Sequence, residues 1–199
     1  MNPNERDFTL VNEGFLNRQD VPSDMWDHMG VIRRFARGAD SIVEFGTSDR
    51  ANSTFALMAG HPRWMRCYDV HRYEPTFSYV EKAARDAGID FAFMIQSSTA
   101  AEIDDCDLLF IDDDHKYEHV KRELEMQGKH ARKWIILHDT SEFESHDDTI
   151  DRSGRGIWPA ITEYMDATGQ WEIREKYNQN YGITVLQRKG CISTISRLS

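Results

Sequence analysis

Apolar residues recur along the chain in short runs, each stopping at polar or acidic residues and each followed by a stretch of helical spacing. Ser41 to Phe45, Met65 to Val70, Phe91 to Ile95, Leu108 to Ile111 and Trp134 to Leu137 read as strands, since runs this short, bounded by turn residues, fit buried strands. Helical spacing predicts helices over 23–37, with Ser23 as cap and Gly38 as stop, over Thr54 to Ala59, and over Thr76 to Ala87 before Gly88. Two more follow over Lys116 to Ala131 and over Ile157 to Thr168, the latter closed by Gly169. Trp171 to Tyr177 and Tyr181 to Gln187 alternate around Asn178-Gln-Asn as an antiparallel hairpin does.

Strands alternating with helices imply βαβ units: an α/β fold with a mostly parallel central sheet, helices on both faces and a C-terminal antiparallel hairpin. One domain is expected, with residues 1–21 as an N-terminal arm, 22–188 as the core and 189–199 as a tail. The arm shows no sustained period, so it is expected to pack locally or on a partner subunit, which leaves a homo-oligomer open. Residues 140–156 are aperiodic and long for a connection, which marks them as a mobile or substrate-covering lid.

Composition narrows the partners. The chain has 199 residues, 40% hydrophobic and 29% charged, as in a folded domain. Its formal charge of -10 argues against nucleic acid, whose phosphates call for a basic stripe. No apolar run approaches the roughly 18 residues of a membrane span, and the start Met-Asn-Pro-Asn-Glu-Arg-Asp lacks the parts of a signal peptide, so no membrane partner and a cytoplasmic location are expected. Cys67, Cys106 and Cys191 are widely separated, as free thiols in a reducing compartment are. Small molecules and a metal remain as ligands.

Candidate chemistry collects at two strand ends. Leu108 to Ile111 runs into Asp112, Asp113, Asp114 and His115, and Trp134 to Leu137 stops at His138 and Asp139. In open parallel sheets ligands bind outside the carboxyl ends of the strands. Asp112 and Asp139 suit a hard dication, Mg²⁺ first. His138, if it ligates, tilts the preference toward Mn, Fe, Co or Zn. His115 is the first choice for general base from its titration range, with Asp114 the alternative. Capping of the helix at Lys116 is a second role open to Asp113, Asp114 and His115, above all to Asp113. His61, His71, His119, His130 and His146 show no ligand spacing and read as surface or hydrogen-bonded residues. Trp134, Trp158 and Trp171 read as core.

Val43-Glu-Phe-Gly46, Tyr68-Asp69, Ile111-Asp-Asp-Asp-His-Lys-Tyr117, His138-Asp139 and the ending Tyr181-Gly-Ile-Thr-Val-Leu together carry a resemblance. Over roughly Ser41 to Arg188 the chain resembles the class I S-adenosylmethionine-dependent methyltransferases, and more narrowly the metal-dependent small-molecule O-methyltransferases that share their sequence style with cephalosporin hydroxylase-like proteins. The resemblance implies a Rossmann-like methyltransferase fold, S-adenosylmethionine and a divalent metal as cofactors, and a small hydroxylated substrate, a sugar or phenol. It assigns Glu44, Gly46 and Ser53 to the methionine end of the cofactor, Asp69 to the ribose hydroxyls, Ser97 and Ser98 to the adenine edge, and Asp112, His138 and Asp139 to the metal.

The chain departs from that pattern in having one glycine after the first strand, with Thr47, Ser48, Asp49 and Arg50 in place of the others. This departure and His138 keep two alternatives open: a metal-dependent hydroxylase-like or hydrolytic enzyme on the same fold, and a non-catalytic binding or assembly module.

Overall fold

The computed structural model describes residues 6–150 and 152–191. Seven strands form one sheet: β1 (Ser41–Phe45), β2 (Trp64–Asp69), β3 (Asp90–Ile95), β4 (Cys106–Ile111), β5 (Ala131–His138), β6 (Trp171–Tyr177) and β7 (Ile183–Arg188). Their spatial order is β3-β2-β1-β4-β5-β7-β6. The first five are parallel, and β7 inserts antiparallel between β5 and β6. The helices are α1 (Thr9–Gln19), α2 (Met29–Ala36), α3 (Asn52–Met58), α4 (Thr76–Asp86), α5 (Tyr117–Gln127) and α6 (Ile157–Thr168).

Side chains of a strand alternate between faces, so each apolar run feeds two cores. Ile42, Leu108, Phe110, Trp134 and Ile136 pack with Val11, Phe15, Met29, Phe35, Phe55 and Phe77 from α1 to α4. Val43, Phe45, Leu109, Ile111, Ile135 and Leu137 pack on the other face with Tyr117, Val120, Leu124, Ile161 and Tyr164 from α5 and α6. This double burial explains why the central strands read as unbroken apolar runs. The register pairs Phe45 with Ile111 and Ile111 with Leu137. The residues that follow, Gly46, Asp112 and His138, are thereby brought level at one edge of the sheet.

Several boundaries differ from those expected. The arm contains the helix α1, whose apolar positions are too sparse to show a period because it buries little beyond Val11, Gly14 and Phe15. Tertiary packing holds it: a Cβ at Gly14 would collide with the Phe55 ring. The helix expected over 23–37 is split into a 3-10 turn, Trp26–His28, and α2. Ser23 Oγ accepts from the amides of Met25 and Trp26 just ahead of the 3-10 turn, but the N-cap positions fall on Met25 and His28, neither of which makes a side-chain cap bond. α5 starts at Tyr117 and makes no side-chain cap bond, so the acids before it are not its N-cap. At its other end a 3-10 turn, Gly128–His130, precedes β5, which begins three residues before Trp134.

The hairpin turn is also longer than expected, since Asn180 and Tyr181 take left-handed backbone before β7 starts. Within the stretch expected as a lid, of which residue 151 lies outside the described residues, His146 is bridged to Arg155 and the Asp147 amide donates to the Gly154 carbonyl. Of the tail, residues 192–199 lie outside the described residues, as do residues 1–5 of the arm.

Candidate active site

Backbone geometry at the sheet edge is specialised. Gly46 has φ +76°, and a Cβ there would collide with the Asp112 carbonyl, so glycine lets the tips of β1 and β4 close together. Asp139 has φ 57°, a left-handed conformation costing a non-glycine residue about 1–2 kcal/mol. That turn at the end of β5 directs its carboxylate toward Asp112 and His115.

The side chains converge closely. His138 Nδ1 lies 2.9 Å from Asp139 Oδ1 and 3.3 Å from Asp112 Oδ1. His115 Nε2 lies 2.7 Å from Asp139 Oδ2 and 3.7 Å from Asp112 Oδ1. His115 stacks on Phe143 of the 140–156 loop, ring centres 4.5 Å apart, and its Nδ1 is 3.7 Å from Asp148. The loop therefore already covers one side of this cluster.

A second imidazole sets the tautomer of the first. Buried His28 places Nε2 3.0 Å from the Gln179 carbonyl and Nδ1 3.0 Å from His138 Nε2. A carbonyl only accepts, so His28 carries its proton on Nε2 and accepts at Nδ1 from the N–H of His138. Burial and the neighbouring His138 push the pKa of His28 down to about 4, which keeps it neutral. Neutral His138 then presents a bare Nδ1 lone pair to Asp112 and Asp139, the tautomer a metal ligand requires, with its other nitrogen tied down.

Metal-free, the same geometry favours protons. Burial alone would lower the pKa values of His115 and His138, but Asp112 and Asp139 outweigh it and raise both to about 10. Burial would raise Asp139, yet the two imidazoles hold it far below the usual carboxylate range. Two imidazolium protons thus balance two carboxylates, a charge that one dication can replace.

The residues fit a cation on a further observation. Asp139 Oδ1 and His115 Nε2 are buried without a hydrogen bond, although each has a partner within 3 Å. Neighbouring ligands of octahedral Mg²⁺, at about 2.0–2.1 Å from it, stand about 2.9 Å apart, close to the separations here. Asp112, His138 and Asp139 together present ligand atoms within 4.8 Å of one another.

Other site residues behave differently from expectation. Asp114 faces outward to Lys116, with Nζ at 2.9 and 3.1 Å, so it forms a surface ion pair and is not placed as a base. Asp113 accepts from Ser98 Oγ at 2.7 Å and lies 3.2 Å from His119 Nε2, so it is neither a cap nor a part of the edge cluster. Ser98 is 2% exposed and committed to that pair, which removes it from any adenine edge. Ser97 remains at the surface side of the turn, bonded to Thr99 Oγ1 at 3.0 Å. His119, far from being isolated, joins Asp113 and Glu123.

At the end of β1, Glu44 is fully buried and takes hydrogen bonds from Ser53 Oγ at 2.6 Å, Thr54 Oγ1 at 2.9 Å and Cys67 Sγ at 3.0 Å. Burial raises its pKa to about 7 against those bonds. Glu44 and Ser53 are turned to each other, and Glu44 ties β1 to α3 and to β2. Asp69 binds the same turn from the other side, Oδ2 accepting from the Thr47 amide at 2.7 Å and hydroxyl at 2.8 Å while Oδ1 accepts from the His71 amide at 2.9 Å.

Sequence reasoning missed His28 and Phe143. His28 alone left a trace, as a polar residue on the apolar stripe between Met25 and Met29.

No protein-family model matches the chain, and no curated protein matches it in sequence. Solved structures do match. An O-methyltransferase from Bacillus cereus in complex with SAH is 17% identical, with TM-score 0.59, over 94% of this chain and 93% of that one. The O-methyltransferase TomG from Streptomyces achromogenes, involved in tomaymycin synthesis and in complex with SAM, is 13% identical, with TM-score 0.59, over 93% and 92%. Among the described residues no helix is long and apolar enough to cross a membrane. With its strand order, its inserted β7 and these end-to-end matches, the chain has the Rossmann-like fold of the class I S-adenosylmethionine-dependent methyltransferases.

Proposed function

We propose that the protein is an S-adenosylmethionine-dependent O-methyltransferase that methylates a hydroxyl of a small molecule, a sugar or a phenol, with a divalent cation held by Asp112, His138 and Asp139. The observation that carries this reading is the convergence of those three side chains, with His138 in its ligand tautomer, at the carboxyl edge of a methyltransferase sheet. When bound, the cation supplies Lewis acidity that lowers the pKa of an acceptor hydroxyl and fixes its orientation.

The chain's own residues do the rest. With Asp112 and Asp139 engaged by a cation, the pull that holds His115 protonated would be relieved, and His115 Nε2 would be the group that accepts the hydroxyl proton. Phe143 stacks on that ring and keeps its plane fixed. The Gly46 turn, pinned by Asp69, is the surface for the cofactor, with Ser97 at the end of β3. The methyl donor arrives already activated, so proximity and orientation account for most of the remaining rate.

Calorimetric titration with S-adenosylmethionine, with and without Mg²⁺, followed by S-adenosylhomocysteine release over a panel of phenols and sugars, tests the reading. Binding plus metal-stimulated turnover is expected. No heat at millimolar cofactor would overturn it.

The two imidazoles beside two carboxylates favour one rival, a metal-dependent oxygenase, because such a set also suits Fe²⁺. Iron in the purified protein together with no cofactor binding would select that rival.

A further inference from the structure

A second cluster lies one residue from the first and has no part in the chemistry above. Asp113, in the loop after β4, and His119 and Glu123, one turn apart on α5, bring ligand atoms within 4.8 Å of one another. His119 Nε2 is 3.2 Å from Asp113 Oδ2 and 3.6 Å from Glu123 Oε1. Ser98 Oγ stands 2.7 Å from Asp113 Oδ2 and 3.1 Å from His119 Nε2. Ligand atoms about 2.0–2.1 Å from a tetrahedral centre lie about 3.4 Å from each other. The two His119 distances straddle that value.

Glu123 is the independent observation. It is 0% exposed, and neither of its carboxylate oxygens has a hydrogen-bond partner. An unsatisfied buried carboxylate costs several kcal/mol and is rare without a compensating charge. Its Oε1 lies 3.6 Å from His119 Nε2, which aims it into the cluster. Once a metal displaces their protons, two carboxylates and a neutral imidazole sum to minus two, which one dication neutralises. Mixed imidazole and carboxylate donors at tetrahedral spacing suit Zn²⁺ better than Mg²⁺ or Ca²⁺, which favour all-oxygen sets of higher coordination.

We propose that Asp113, His119 and Glu123 form a second, structural divalent-cation site, for Zn²⁺ by preference, with Ser98 Oγ beside the fourth position. His119 is partly exposed in a surface cleft with Thr99 and Lys116, which gives the ion a route in. The bound ion ties three segments together: the 3-10 turn carrying Ser98, the loop carrying Asp113, and α5. Because Asp112, Asp114 and His115 flank Asp113, the ion braces the backbone that presents the edge cluster.

The test separates the two sites. In an Asp112→Asn/Asp139→Asn protein, which lacks the edge site, titration with Zn²⁺ should still show one equivalent bound and a raised Tm. Adding Glu123→Gln, which keeps size and shape, should abolish both. Anomalous diffraction at the zinc edge should place the ion between His119 and Glu123. The proposal is overturned if the Asp112→Asn/Asp139→Asn protein binds no Zn²⁺, or if Glu123→Gln leaves its binding unchanged. Should the triple variant fail to fold, Glu123→Gln alone must lose one of the equivalents bound by the wild type; an unaltered count would equally sink the proposal. Loss of the edge site would appear only as a difference between wild type and the Asp112→Asn/Asp139→Asn protein, so the two failures are distinguishable.

Discussion

Asp112 and Asp113 are neighbours in sequence, yet they belong to clusters built on opposite plans. The edge cluster joins residues far apart in the chain: Asp112 from the tip of β4, His138 and Asp139 from β5, and His28 from the turn before α2. The inner cluster is largely local, since Asp113, His119 and Glu123 follow one another into α5. The edge cluster has its ring nitrogens tied from behind and opens toward the loop with Phe143 and Asp148. The inner one has a buried Glu123 at its base, with Asp113 and His119 partly exposed above it. A set gathered from distant segments is oriented by the whole fold, whereas a local set ties neighbouring segments to one another.

The largest effect that would sharpen this contrast is expected at His115. His115→Gln should lower methyl transfer by about 10²–10⁴-fold while leaving the affinity for S-adenosylmethionine unchanged, as removal of a general base does. A parallel loss of cofactor binding would mean that the imidazole serves the pocket and not proton transfer.

His28→Leu comes next. It strands the His138 N–H and frees its tautomer, so affinity for the edge cation should fall about 10–100-fold with Zn²⁺ binding at Glu123 unaffected. Equal weakening at both sites would break the separation between them.

A pH effect should follow in the metal-free protein. His115 and His138 have folded pKa values near 10 against an ordinary 6.5, so their contribution to stability is complete below about pH 6.5 and lost as pH rises through 10. Urea midpoints should therefore fall between pH 7 and pH 10, and saturating Mg²⁺ should flatten the fall. A flat metal-free profile would show that the imidazoles are not held protonated by the two acids.

The smallest effect belongs to Asp114. Its pairing with Lys116 is solvent-exposed, so Asp114→Asn should change stability by less than about 0.5 kcal/mol and turnover by less than about twofold. A large loss of activity would restore it as the base.

The apolar pattern alone determined the five parallel strands, the closing hairpin and the two acidic strand ends, because burial on both faces leaves an unbroken apolar run that any reader of the chain can see. Asp112, His138 and Asp139 were legible for the same reason, each being the first polar residue beyond such a run or next to it. α1 was not, since its burial depends on Gly14 meeting Phe55, a contact that leaves no period. The division of labour among Asp112, Asp113, Asp114 and His115 was equally hidden, because four consecutive residues leaving a strand tip can point anywhere their dihedral angles allow. Ser98 and His119 lost their expected places to Asp113 in the same way. Strand register levelled Gly46, Asp112 and His138, and the long turn before β7 brought the Gln179 carbonyl to His28. A one-dimensional pattern reports which positions avoid water; which polar groups meet is decided by the paths of segments that touch only after folding.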